Sequence, residues 1–517
     1  MPRVSSKSNL TTTTAQRLSS IVKSCRDIMR KDKGLNGDLD RLPMLTWIMF
    51  LKFFDDMETE RETEAQVAGT PFFPVIEPPY RWRNYTAGLH DLTGDELLGF
   101  INNDEAAVLP GGTRGPGLFA YLRHLSGSPQ REVLARVFAG VQNRFTSGYL
   151  LRDVIDKIDG IQFTSSEEIH TLSHLYESLL REMRDAAGDS GEFYTPRAVV
   201  RFMVTVINPR LGETVLDPAC GTGGFLVEAF EHLKPQVQTV EQRRLLQNGT
   251  LFGGEAKSLP YLLAQMNLLL HGLESPNIDY GNALRHKISE IGERERADII
   301  LTNPPFGGEE ERGILGNFPA DKQTSETALL FLQLIMRKLR KMPKPGRAGV
   351  VVPNGTLFAD GVAARIKAEL LTDFNLHTIV RLPNGVFAPY TSISTNLLFF
   401  DRAHATRDIW YYEIALPEGR KNYTKTQPMQ YDDFADCIAW WNDRTESAQA
   451  WKVPAADLLV RDNAGGVVSV NLDVSNPNRA ADLAHRSPED LIESILDKER
   501  QIADIMENIR AMVKKGP

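Results

Sequence analysis

Cysteine is almost missing from this chain. Cys25, Cys220 and Cys437 are the only three in 517 residues, far apart and without CxxC spacing. That excludes a disulfide framework and gives no support to a zinc site. No run of about eighteen apolar residues occurs, and Met1-Pro2-Arg3-Val4 leads into a Ser/Thr-rich stretch rather than an apolar segment. Membrane spanning and export are therefore not expected, and the cytoplasm is. Excess positive charge is lacking too, since 59 Lys and Arg stand against 67 Asp and Glu, a formal net charge of −8. A chain that grips duplex nucleic acid unaided usually presents a basic face. Arg337-Lys338-Leu339-Arg340-Lys341 is one local basic patch, readable either as such a surface or as the solvated face of a helix.

The length exceeds one ordinary hydrophobic core, so roughly two to four domains or sub-domains are expected. Residues 15–60 carry helical periodicity dense in apolar side chains, among them Leu45, Trp47, Ile48, Phe50, Leu51, Phe53 and Phe54. Breaks follow at 71–85 and 110–117. This predicts a helical N-terminal domain over 1–165. After a further helical stretch at 167–186, short apolar strands alternate with amphipathic helices, which signals an α/β fold with a parallel sheet over 166–420. The spacing predicts strands at 214–217, 250–253, 297–302, 348–353, 377–382, 395–400 and 409–414, with helices at 223–234, 256–272, 323–342 and 360–372. Residues 421–480 read as an irregular extension. A closing helix over 481–517 opens at Ser487-Pro488-Glu489-Asp490, where Ser caps and acids favour the helix dipole. Leu491, Ile495, Ile502, Ile505, Ile509 and Met512 form a coiled-coil-like seam that needs either a partner helix or the chain's own N-terminal domain.

Two motifs carry chemistry. Val215-Leu216-Asp217-Pro218-Ala219-Cys220-Gly221-Thr222-Gly223-Gly224-Phe225 is a strand, a Gly-rich turn and a helix start, where backbone N–H groups can approach a ligand. No Gly-Lys-Ser/Thr follows, and the sixth-position Gly of a dinucleotide fingerprint is missing, so ATP and NAD are disfavoured. Roughly thirty residues on, Gly253-Gly254-Glu255 puts a carboxylate where open α/β sheets hold a ribose diol. With Asp217 for a cationic amino-acid moiety, the pair suits S-adenosylmethionine, which has a ribose, an ammonium and a sulfonium but no phosphate. Taken alone, the loop leaves another nucleotide open. Cys220 is read as a small thiol packed in the turn and not as a nucleophile, because Ala219 and not Pro precedes it.

The second motif, Asn303-Pro304-Pro305-Phe306, follows the strand at 297–302. An Asn carbonyl beside a prolyl backbone carbonyl, fixed by proline φ angles, can accept both hydrogens of an exocyclic amine and aim its lone pair at a methyl sulfonium. Phe306 offers a face on which a base can stack. Positioning and electrostatics then suffice without a metal or a covalent enzyme intermediate, and a base inside a duplex must be flipped out to reach the site.

These motifs, in this order, resemble the gamma arrangement of adenine-N6 DNA methyltransferases. His174-Leu175-Tyr176-Glu177 through Gly191-Glu192-Phe193-Tyr194-Thr195-Pro196-Arg197 is similar to the segment that closes over the methionine end of the cofactor in type I restriction-modification modification subunits. Gly346–Gly355 and Leu382-Pro383-Asn384-Gly385-Val386-Phe387, running through Pro389-Tyr390-Thr391 to Thr395–Phe400, match that family as well. The resemblance covers about 165–430 and implies a Rossmann-like methyltransferase core. It implies cofactor contacts from Glu192, Phe193, Tyr194, Thr195, Pro196, Arg197, Asp217, Ala219, Gly221, Thr222, Gly223, Gly224 and Glu255, and catalysis by the 303–306 tetrapeptide. At a third strand end, Asp279-Tyr280-Gly281-Asn282, this chain has Asn282 where many relatives carry Asp, so its contact to the cofactor adenine would run through an amide. The family also implies double-stranded DNA with a flipped adenine, a DNA-specificity subunit, a second copy of this chain, and in some systems a restriction subunit. Three rivals stand beside this reading: a self-sufficient adenine methyltransferase, a non-catalytic cofactor-binding scaffold, and a protein-glutamine methyltransferase.

Overall fold

The computed structural model describes residues 14–86, 92–161, 195–388, 391, 393–424, 426–478 and 499. The expected helix at 167–186, the Glu192-Phe193-Tyr194 segment and the closing helix apart from Glu499 lie outside these residues.

The apolar N-terminal periodicity becomes a helix, Asp38–Ala68, with acids in its first turn and a left-handed Gly69 (φ 66°) at its end. Its run from Leu45 to Phe54 is buried along the whole length. Around it pack Thr14–Met29, Gly94–Asn102, Leu118–Arg123, Pro129–Ala139 and Gly148–Asp159, with a small hairpin of β1 (Ala107–Val108) and β2 (Arg114–Gly115). Asp32 fastens the two ends of this bundle, accepting from the backbone N–H groups of Gly34 and Ser147 and from the Thr146 hydroxyl at 2.8–2.9 Å.

The second half is built on nine strands: β3 (Val215–Asp217), β4 (Leu251–Glu255), β5 (Asn277–Tyr280), β6 (Ile299–Thr302), β7 (Arg347–Pro353), β8 (Asn375–Arg381), β9 (Thr395–Asp401), β10 (Asp408–Glu413) and β11 (Ala450–Pro454). Their order across the sheet is β11-β10-β8-β9-β7-β6-β3-β4-β5. From β5 to β7 neighbours run parallel, β9 runs antiparallel to both β7 and β8, β8 and β10 are parallel, and β11 is antiparallel to β10. Alternation sorts the side chains: Ile299, Leu301, Leu397 and Phe399 join the core beneath helices Arg197–Ile207 and Gly224–Leu233. Ile300, Leu398 and Phe400 join the opposite core, beneath Thr327–Lys338 and Val362–Asp373. With both faces covered, each central strand reads as a continuous apolar run.

Helix Ser258–Leu270 belongs to both halves. Tyr261, Ala264 and Leu268 face the sheet core, while Leu262, Leu263, Met266 and Leu269 are part of the N-terminal core. A salt bridge of 3.2 Å between Arg61 and Glu274 crosses the same seam.

Three expectations need correction. Residues 421–478 are not irregular: β11 extends the sheet, helix Ala435–Asn442 buries Cys437 and Trp440 against it, and β12 (Leu459–Arg461) pairs with β13 (Val467–Val470). Phe434, Trp440 and Trp451 supply this burial at spacings that fit neither helical nor strand periodicity, so the pattern was silent. A helix at Val240–Asn248 was not expected either, because Leu246 is its one buried residue, although Thr239 and Gln242 form a capping box. The helix expected to reach 342 ends at Lys338, where Leu339 bridges to Ala297 beside the sheet. The basic patch therefore straddles a helix end, and Arg337 and Arg340 pair with Glu369 (3.2 Å) and Asp298 (3.1 Å).

Candidate functional site

Parallel strands β4 and β6 flank β3, and the chain leaves β3 toward one neighbour and later returns on the other side. The carboxyl ends of β3 and β6 therefore border a topological switch point, where open α/β sheets bind ligands. A cleft of about 300 Å³ opens there, walled by Ala219, Gly221, Glu255, Asn282, Asn303 and Pro305, with Lys257, Glu309 and Glu310 at its sides.

Its floor is the turn after β3. Gly221 and Gly223 take left-handed φ angles of 54° and 81°, which a Cβ would strain, and the helix Gly224–Leu233 starts at once. The Cys220 N–H donates to the Gly254 carbonyl at 2.9 Å. A Cβ on Gly254 would stand 3.1 Å from the Pro218 carbonyl, so β4 and the turn approach closely. Glu255 holds both sides of this crossing, accepting the Gly221 N–H at 3.0 Å and the Lys257 N–H at 2.8 Å. Burial pushes its carboxyl above the usual range.

Asp217 lies beneath the cleft rather than on its wall. It is 1 % exposed and accepts the Ala219 N–H at 3.1 Å. Burial, with the nearby Glu255 charge adding, pushes its pKa up to about 7, against hydrogen bonds that favour the charged form. Thr222, Gly223 and Gly224 shape the turn and helix start without forming the cleft wall. Asn282 does reach the wall, but its amide is engaged: Oδ1 accepts from the Leu284 N–H at 2.9 Å and Nδ2 donates to Glu310 at 3.1 Å. Pro196 caps helix Arg197–Ile207 and Arg197 faces Glu228 at 3.6 Å, so with Thr195 these residues stand outside the cleft lining.

The other wall is the end of β6. Asn303 Oδ1 is buried without a hydrogen-bond partner among the described residues. Pro304 is buried, Pro305 lines the cleft, and Phe306 is half-buried with its ring set edge to face against Phe387. Behind them the Thr327 hydroxyl donates to the Gly308 carbonyl at 3.2 Å and holds the following loop. A buried acceptor without a donor carries a free-energy penalty, which an N–H brought into the cleft would relieve.

The sequence reading missed Lys257, Glu309, Glu310 and Phe387 as site residues. Glu309-Glu310 directly after Gly307-Gly308 was the available signal. Three carboxylates against one ammonium make this cleft unsuited to phosphate and suited to a ligand with cationic centres, as S-adenosylmethionine is. Among the described residues no group of His, Cys, Asp and Glu could hold a metal ion, no helix is long and apolar enough to cross a membrane, and all three cysteines are buried and free.

The family model described as N-6 DNA Methylase matches residues 167–474. The chain is 44% identical, over 95% of its length and 97% of the relative's, to the type I restriction enzyme EcoEI methylase subunit of Escherichia coli. A solved modification subunit from Vibrio vulnificus YJ016 is 66% identical, with a TM-score of 0.86 over 91% of this chain and 99% of that one. A chain solved in work on complex assembly of the type I R-M system is 39% identical, with a TM-score of 0.74 over 98% and 100% of the two chains.

Proposed function

The chain belongs to the N-6 DNA methylase family, as the modification subunit of a type I restriction-modification system, and from that premise we propose how its cleft methylates adenine N6. Its activity is adenine-specific DNA methylation. The observation that carries the site assignment is the buried Asn303 Oδ1, without a partner among the described residues, on one cleft with Glu255 and Gly221 at the switch point.

S-adenosylmethionine, when bound, supplies an electrophilic methyl on a sulfonium that departs as a neutral thioether. The Gly221–Gly224 turn and Glu255 cradle its ribose, Asn282 faces its adenine, and the cleft carboxylates favour its positive charges. Contact with its methionine end is assigned to the Glu192–Arg197 segment by the family resemblance alone. Asn303 Oδ1 and the Pro304 carbonyl accept the two N6 hydrogens of a flipped adenine, which draws the nitrogen lone pair out of ring conjugation. Phe306 stacks on the base, held in plane by Phe387. Asn303 and Pro304 would hold N6 ready to take the methyl group as its carbon–sulfur bond breaks, with the surplus N6 proton leaving to solvent. Because the leaving group is a neutral thioether, no metal or covalent enzyme intermediate is called for, and the rate gain comes from positioning and electrostatics.

The net charge of −8 supports assembly with subunits that supply the grip on DNA. The partners are a DNA-specificity subunit, a second copy of this chain and, in a cleaving complex, a restriction subunit. The test is transfer of a labelled methyl group to unmethylated DNA by the chain alone and by the chain copurified with its partners. Activity confined to the assembly is the expected result. Equal activity from the isolated chain would instead make it a self-sufficient methyltransferase.

A further inference from the structure

The cofactor turn is held at two successive points by one structural unit. Glu255, at the end of β4, accepts the Gly221 N–H at 3.0 Å. The helix that follows β4, Ser258–Leu270, brings Asn267 to the other side, where its Nδ2 donates to the Thr222 carbonyl at 2.9 Å. Asn267 is 2 % exposed, and its Oδ1 has no partner among the described residues, so among them this donation is the hydrogen bond that its amide makes. A buried amide that satisfies half of its capacity is costly, and apolar packing alone would favour Leu at such a position. The rest of the turn is tied by backbone hydrogen bonds, with the Cys220 N–H on the Gly254 carbonyl and the Gly223 N–H on the Cys220 carbonyl, and the Thr222 carbonyl is met from the helix side by this amide.

We infer that Asn267 is a positioning residue for the methyl donor: by fixing the Thr222 peptide from behind, it sets the shape of the Gly221–Gly223 turn and with it the affinity for S-adenosylmethionine. The inference rests on the reading of the cleft as the S-adenosylmethionine site. Asn267 touches no ligand and acts through the turn. Its helix is also part of the N-terminal core through Leu262, Leu263, Met266 and Leu269, so the amide is held from a rigid, doubly buried element rather than from a loop.

Two substitutions separate this role from mere packing. Asn267→Leu keeps the volume and removes the donor. Asn267→Asp keeps the shape, and its carboxyl can donate to the carbonyl when protonated and repels it when ionised. Calorimetric titration of the full chain with S-adenosylmethionine at about pH 8 and about pH 6, beside thermal unfolding to establish that each variant is folded, reads the outcome. The expected result is roughly tenfold weaker binding for Asn267→Leu at both pH values, the worth of one hydrogen bond. Asn267→Asp, whose carboxyl at its ordinary pKa of about 3.9 is ionised at both pH values, is expected to bind at least as weakly as Asn267→Leu. In the assembled enzyme the loss appears mainly as a raised KM for S-adenosylmethionine. Unaltered affinity in folded Asn267→Leu or in folded Asn267→Asp would overturn the inference. Failure of the unsubstituted chain to bind S-adenosylmethionine would instead overturn the reading of the cleft.

Discussion

The rings of Phe306 and Phe387 meet with centroids 5.7 Å apart and planes inclined at 66°, which leaves one face of Phe306 for a stacked base. Phe306 is half-buried and Phe387 almost fully so. Replacing Phe306 with Ala removes the stacking platform, worth about 1–3 kcal/mol per base. Methyl transfer by the assembled enzyme is expected to fall by roughly tenfold to a hundredfold in kcat/KM for DNA, while calorimetric affinity for S-adenosylmethionine holds. Equal loss of both would remove Phe306 from its assigned place.

Asn303→Ala is expected to abolish transfer and to leave cofactor binding nearly intact. The acceptor that loses its role is buried and without a partner among the described residues, so its removal costs the fold little. Single-turnover labelling alongside calorimetry gives both numbers. A folded variant that loses cofactor and transfer together would count against the role.

Asp217 titrates near pH 7, at about 7, because it is buried, well above its value in an unfolded chain. The folded chain therefore holds this proton more tightly, so stability falls as pH rises from about 4 to about 7, and the deficit persists in full above that range. The substitution Asp217→Asn removes the titration. The variant is expected to melt higher than the unsubstituted chain at about pH 8, by up to about 4 kcal/mol in stability, and to lose that advantage as pH is lowered toward 4. A difference independent of pH would show that this carboxyl does not titrate in the fold as stated.

At the seam between the halves, burial and charge make opposite forecasts. Leu263 is 4 % exposed in the N-terminal core, and Leu263→Ala is expected to cost about 2–5 kcal/mol in denaturant unfolding. The Arg61–Glu274 pair at the rim is partly solvated, and Arg61→Ala should cost under about 1 kcal/mol. A larger loss from the charge than from the leucine would invert this account of the seam.

Much of the catalytic half was legible in the sequence, for a physical reason. Central strands such as β6 and β9 are buried on both faces, so they stand out as short apolar runs, and the two chemical motifs sit at their ends because strand ends are where backbone is free to turn toward a ligand. β11 escaped notice as an edge strand in which Ala450 and Trp451 are buried while Lys452 and Pro454 are exposed. Asn303 and Glu255, each named by a motif at a strand end, are brought together on one cleft. Asp217 was expected to serve a cationic amino-acid moiety, whereas it ends β3 below the cleft; that depth depends on how Pro218 and Gly254 cross, which no local pattern encodes. Phe387 and Lys257 come from segments whose meaning appears only when the sheet brings them to one edge.

Because helix Ser258–Leu270 is apolar on both sides, the border near residue 165 divides the chain on paper but not in its interior. A fragment trimmed to the catalytic half would carry Leu262, Leu263, Met266 and Leu269 bare to water, a sticky stripe directly behind the cofactor turn. The two halves are thus expected to fold as one unit, the N-terminal bundle serving as the back wall of the methylating core.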